Sequence, residues 1–185
     1  MRIGTAMRPA EGQIVSGDAL LVLEGQPTTV VVADGLGHGA GAAEPAQAFC
    51  HFVRAHSSMG PDRIMSAAST EFVHSRGLAA AVLRIDVAAG KFSYCGVGNI
   101  DLHARSSSPI RPISTPGIIG RPVRKILHFD YSLTPGDILV AHTDGISSRF
   151  EVEDFAELDS APMAAAILER LGRSYDDASC VVIRL

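Results

Sequence analysis

The chain has 185 residues, 46% of them hydrophobic and 19% charged, with a mean hydropathy of +0.21, which suits one domain over residues 1–185 closed around a single core. Lys and Arg number 16 against 20 Asp and Glu, a formal net charge of −4, so no excess positive field is available to track a phosphate backbone and a nucleic-acid binder is disfavoured. Apolar runs such as residues 19–23 and 30–33 fall far below the roughly 18 needed to span a bilayer. Met1-Arg2-Ile3-Gly4-Thr5 lacks the apolar stretch of a signal peptide, and the expectation is a cytoplasmic protein with no membrane partner.

Extended segments are predicted over residues 2–9, 14–23 and 28–33. The last, Thr-Thr-Val-Val-Val-Ala, is apolar and β-branched on both faces and reads as a buried central strand. After a glycine-rich run from Asp34 to Gly41, Ala42, Ala46, Phe49, Cys50 and Val53 recur at helical spacing, with Pro45 in the first turn. A second helix begins at Pro61, carries Ile64, Ala68 and Phe72 on one face and stops at Gly77. Only Ser-Ser-Met-Gly separates the two, which predicts an antiparallel helix pair.

From Leu78 the period changes to two. Residues 78–87, a turn at Ala88-Ala89-Gly90, and residues 91–97 predict a β-hairpin, followed by a strand over 100–105. Residues 106–122, rich in Ser and Pro, predict a long mobile loop. Within it, Ile118-Ile119 is either an exposed docking pair or a pair folded back onto a sheet. Strands are predicted over 125–133 and 138–142, a helix from Ser160-Ala161-Pro162 to near Gly172, and a closing strand over 179–185. The order implies an α+β fold in which helices cover the faces of largely antiparallel sheets. Cys50, Cys95 and Cys180 are odd in number, far apart and without a CxxC, so buried reduced thiols are expected in place of a disulfide framework or zinc knuckle.

Four aspartates recur at or just beyond the end of an apolar strand, beside Gly or a second Asp: Asp18, Asp34, Asp144 and Asp176. Taken singly, such pairs are turn formers, since Asp accepts local backbone hydrogen bonds and Gly supplies positive φ. Taken together, strand ends converging at one sheet edge would gather carboxylates that repel unless a cation lies among them. Oxygen-only ligands select Mg²⁺, Mn²⁺ or Ca²⁺ over Zn²⁺. His38, in the same glycine-rich turn as Asp34, reads either as a proton donor or phosphate contact or as a polar cap on the next helix. The turn matches neither GxGxxG nor GxxxxGK[ST], so nucleotide cradling is unsupported. The histidines at 51, 56, 74, 103, 128 and 142 form no HExxH or i, i+4 pair and read as surface or packing residues.

The strings Ser-Gly-Asp (16–18), Val-Ala-Asp-Gly-Leu-Gly-His-Gly (32–39), Gly-Val-Gly-Asn (96–99), Thr-Asp-Gly-Ile (143–146) and Asp-Asp-Ala-Ser (176–179) occur in this order. They resemble the metal-dependent type 2C (PPM) protein serine/threonine phosphatases, within them the short bacterial branch typified by SpoIIE, RsbU and RsbX. The resemblance implies a four-layer αββα sandwich of two antiparallel sheets. It implies a centre of two Mn²⁺ or Mg²⁺ ions in which Asp34 bridges, the Gly35 carbonyl and Asp18 serve one ion, and Asp144 and Asp176 the other. Asp177 is the alternative to Asp176. Two divalent ions would bring the formal charge of −4 to zero. Asp18, Asp34 and His38 would then carry catalysis, in which a metal-bridged water attacks phosphorus in line, with Arg8 as the available N-terminal arginine for the substrate phosphate. The implied substrate is a phosphorylated protein of bacterial stress signalling, a stressosome scaffold or STAS-domain protein, acted on by a monomer. A catalytically weak interaction module and a small-molecule phosphoesterase are the other readings.

Overall fold

A computed structural model describes residues 1–123 and 125–185. In chain order the elements are β1 (Arg2–Arg8), β2 (Asp18–Leu23), β3 (Thr28–Gly35), α1 (Ala40–Ala55), α2 (Pro61–Glu71), β4 (Leu78–Asp86), β5 (Lys91–Val97), β6 (Asp101–Arg105), β7 (Phe129–Ser132), β8 (Ile138–His142), α3 (Ser160–Leu171) and β9 (Ala178–Arg184). A short 3-10 turn over Val152–Phe155 precedes α3 and carried no advance signal. The strands form a four-stranded sheet ordered β1-β9-β8-β6 and a five-stranded sheet ordered β2-β3-β4-β5-β7, with every neighbouring pair antiparallel.

Strand alternation explains how three apolar layers arise from these two sheets. Val31 and Ala33 of β3 face α1 and α2, while Val30 and Val32 face the other sheet. Both faces of β3 are covered, which is why its sequence is apolar without alternation. In β9, Val181 and Ile183 point between the sheets, and Ala178, Cys180 and Val182 point to α3. The result is the expected αββα sandwich: α1 and α2, the five-stranded sheet, the four-stranded sheet, then α3. Phe72, just past α2, sits edge-on to Phe49 and Phe52 of α1, each with centroids 5.9 Å apart, and locks the helix pair together. The three cysteines are buried and unpaired. No helix among the described residues is long and apolar enough to cross a membrane.

Three boundaries differ from the pattern-based expectation. The strand predicted from residue 14 begins only at Asp18, because the preceding residues turn: Ser16 Oγ accepts the Asp18 amide, the Gly17 amide is drawn to Asp177, and Ile14 is left 97% exposed. The strand predicted over 125–133 shortens to β7, since the Leu127 amide bonds to the Thr115 hydroxyl instead of a strand neighbour. The predicted loop over 106–122 is tied down: Thr115 exchanges backbone bonds with Gly96 and Gly98, the Ile119 amide donates to Leu78, and Ile110 and Ile119 are buried.

Candidate metal and active site

Strand register brings the aspartates together from opposite ends of the chain. In the β2–β3 ladder Asp18 stands directly across from Asp34. In the other sheet, β8 and β9 are antiparallel neighbours, so the chain leaving β8 (Thr143-Asp144) meets the chain entering β9 (Asp176-Asp177). A hydroxyl bridges the two sheets: Thr143 Oγ1 donates to Asp18 Oδ2 at 2.8 Å and accepts the Ser179 amide at 3.0 Å. The glycines after the aspartates serve close approach. A Cβ on Gly35 would lie 1.9 Å from the Ala42 carbonyl oxygen, and one on Gly145 1.9 Å from that of Asp177, so larger residues would push α1 and the β9 lead-in away from the site.

Beside these strand ends lies a cleft of about 570 Å³ lined by Asp34, Asp144, Asp176, His38, Asn99 and Ile118, among others. Asp144 is oriented by Asn99, whose Nδ2 donates to Oδ2 at 2.7 Å, and by Arg173, whose Nη1 donates to the Asp144 carbonyl at 2.8 Å. Asp18 lies deeper, 2% exposed, and its Oδ1 has no hydrogen-bond partner among the described residues. Asp177 is fully engaged: its two carboxylate oxygens accept the amides of Ala10 and Gly17, each at 2.8 Å. Of the adjacent pair, Asp176 faces the cleft and Asp177 holds the backbone.

The electrostatics follow from this crowding. Burial, then the carboxylates of Asp18, Asp144, Asp176 and Asp177, push the Asp34 carboxyl up to about 8. Burial, opposed by the Ser179 and Thr143 hydroxyls and with Asp177 and Asp176 adding, pushes Asp18 up to about 7. Asp176 is raised by burial and by Asp144. A buried carboxylate oxygen without a donor, among carboxylates that resist ionising together, is a donor set suited to hard divalent cations.

His38 is exposed at the cleft wall, between Gly37 at φ 95° and Gly39 at φ 69°. Arg8 does not reach the cleft. It points to the outer side of its sheet, where a Cβ on Gly172 at the end of α3 would lie 3.2 Å from its Nη2. Two other arginines stand by the site: Arg173, and Arg76, whose Nη1 reaches the Leu36 carbonyl at 3.4 Å. Nothing in their local sequence marks them. Thr143 and Asn99 lie inside the motif strings, yet only the fold shows that each holds an aspartate.

Over residues 24–185 the chain matches the family described as Stage II sporulation protein E (SpoIIE). It is 28% identical over 140 residues to the phosphoserine phosphatase RsbX of Bacillus subtilis (strain 168), covering 74% of this chain and 70% of that protein. A chain from the structure "The bacterial stressosome: a modular system that has been adapted to control secondary messenger signaling" superposes with a TM-score of 0.94 at 31% identity, over 98% of both chains. RsbX in complex with magnesium shares the fold, with a TM-score of 0.85 at 24% identity over 96% of this chain and 92% of that one. With the two antiparallel sheets and the five ordered motifs, the match over most of its length shows that the chain belongs to the SpoIIE family of type 2C phosphatase domains.

Proposed function

We propose that the chain is a metal-dependent phosphatase that removes phosphate from phosphoserine or phosphothreonine of a stress-signalling protein, a stressosome scaffold or STAS-domain partner, as a cytoplasmic monomer folded as one domain. The observation that carries this reading is the pairing of buried Asp18 with Asp34 across the β2–β3 ladder, where Asp34 lines a cleft that Asp144 and Asp176 also face. In the proposed assignment Asp34, Asp18 and the Gly35 carbonyl would hold one ion, and Asp34 with Asp144 and Asp176 would hold a second. Bound there, Mg²⁺ or Mn²⁺ would acidify a water for in-line attack on phosphorus and neutralise charge on the phosphoryl oxygens.

The chain's own residues supply position. Thr143 and Asn99 donate hydrogen bonds to the Asp18 and Asp144 carboxylates, and Arg173 to the Asp144 carbonyl. Arg76, beside Gly37 and Gly41 at the start of α1 and within reach of the Leu36 carbonyl, would be the arginine that meets a substrate phosphate. His38, on the cleft wall, would give a proton to the leaving seryl oxygen. The names of the relatives, a phosphoserine phosphatase and a stressosome structure, support a phosphoprotein substrate.

The test is phosphate release from p-nitrophenyl phosphate and from phosphorylated scaffold proteins, with and without Mn²⁺ or Mg²⁺. Metal-dependent release from both, faster from the phosphoprotein, is expected. Tight scaffold binding without release would make the chain an interaction module, and release from the small ester alone would make it a small-molecule phosphoesterase.

A further inference from the structure

The outer face of the four-stranded sheet carries a second group of metal-type ligands that the carboxylate centre does not use. The β6–β8 register sets Asp101 across from His142, and His103 follows two residues on along the same face of β6. One ligand atom from each of these three side chains lies within 4.8 Å of the others. The imidazoles of His103 and His142 stack with centroids 5.3 Å apart and planes inclined by 22°, and Phe150 closes over His103 at 4.4 Å. Packing therefore fixes both rings.

The hydrogen bonds of His142 fix its tautomer. Nδ1 lies 2.8 Å from the carbonyl oxygen of Thr143, which only accepts, so Nδ1 carries the proton and Nε2 presents its lone pair. The residue is 0% exposed, and Nε2 has no partner among the described residues. A buried acceptor left empty is costly, and a ring N–H held by a backbone carbonyl is the usual outer support of a metal-ligating histidine. Asp101 has support as well, since the Ser148 hydroxyl donates to its Oδ2. Asp101 is exposed and His103 only partly buried, which leaves a way in from solvent.

We propose that Asp101, His103 and His142 bind a divalent transition ion of the zinc type, at a site separate from the carboxylate centre. Two imidazoles and one carboxylate suit Zn²⁺ or Co²⁺, with a remaining position for water, whereas the all-oxygen centre suits Mg²⁺ and Mn²⁺. The two sites lie on opposite faces of the same strand end: His142 turns outward towards Phe150, and the next residue, Thr143, turns inward to Asp18.

The experiment titrates the untagged, full-length protein with Co²⁺ in saturating Mg²⁺ and follows the visible absorption of low-symmetry Co²⁺. One equivalent should develop the bands, and one equivalent of Zn²⁺ should erase them. His103→Ala and Asp101→Asn should each weaken Co²⁺ binding by at least about tenfold, while Mg²⁺-supported turnover of p-nitrophenyl phosphate stays intact and reports that each variant is folded. Asp34→Asn should keep the bands. The proposal is overturned if no bands form, if neither variant weakens them, or if Asp34→Asn removes them, which would place the ion in the carboxylate centre. Asp101 is on the surface, so Asp101→Asn decides the matter even where His103→Ala disturbs packing.

Discussion

Asp176 and Asp177 are adjacent, and their surroundings assign them opposite tasks. Both oxygens of Asp177 accept backbone amides, from Ala10 and Gly17, so this carboxylate clamps the segment between β1 and β2 onto the β9 lead-in. Hydrogen bonds to a charged group contribute about 1.5–3 kcal/mol each. Asp177→Ala is therefore expected to lower the melting temperature of the metal-free protein by several degrees, whereas Asp176→Asn removes a repelling charge and should leave it unchanged or higher while cutting turnover. Thermal melts of both variants without metal check this, and a reversed order would exchange the two roles. Asp34→Asn should abolish turnover more completely than Asp18→Asn, because in the proposed assignment Asp34 would touch both ions and Asp18 only one; equal, mild losses would overturn the assignment. The four aspartates were visible in sequence because each stands at a strand end beside Gly or Asp. Their division of labour was not, since the choice between Asp176 and Asp177 depends on two amides about 160 positions away along the chain. Arg8 misled for a similar reason: strand alternation, invisible without the register of β1 on β9, turns it away from the cleft.

The elements were legible wherever one period ran long enough. The β-branched run of β3, the helical spacing of α1 and the hairpin of β4 and β5 came through with their ends nearly in place. The segment 106–122 did not, because what holds it are backbone bonds to Gly96, Gly98 and Leu78, which composition cannot reveal. The two isoleucines there divide between the alternatives. Ile119 is 0% exposed in the core beneath α1 and α2, while Ile118 lines the cleft. Truncating a buried isoleucine costs about 2–5 kcal/mol, so Ile119→Ala should unfold at markedly lower temperature. Ile118→Ser should leave both the melting temperature and p-nitrophenyl phosphate hydrolysis near wild type and reduce turnover on a phosphoprotein, whose flanking residues must cross the cleft wall. A matching loss on both substrates would show that Ile118 shapes the metal centre instead.

At the scale of the whole molecule, the apolar layers force together what electrostatics would separate. Burial between the sheets aligns β2 and β3 with β8 and β9, and their ends deliver the carboxylates to one place. The metal-free protein should show this as a pH-dependent stability. Asp18 and Asp34 are raised in the folded state to about 7 and about 8, above an ordinary carboxyl near 3.8, so their contribution is fully present below pH 4 and is lost as pH rises through 7 to 8. Without metal, the melting temperature should therefore fall between pH 5 and pH 8. Cations bound there would reverse the trend, because they need the ionised carboxylates and so would bind more tightly as pH rises. Binding at 100 times Kd adds about 2.7 kcal/mol, and at about 2–4 °C per kcal/mol for a chain of this size the melting temperature should rise by roughly 5–10 °C. Calorimetric melts at pH 5, 6.5 and 8, with and without millimolar Mg²⁺, measure both effects. A metal-free melting temperature that is flat across this range, or one indifferent to Mg²⁺ at pH 8, would mean that the carboxylates do not share a cation site.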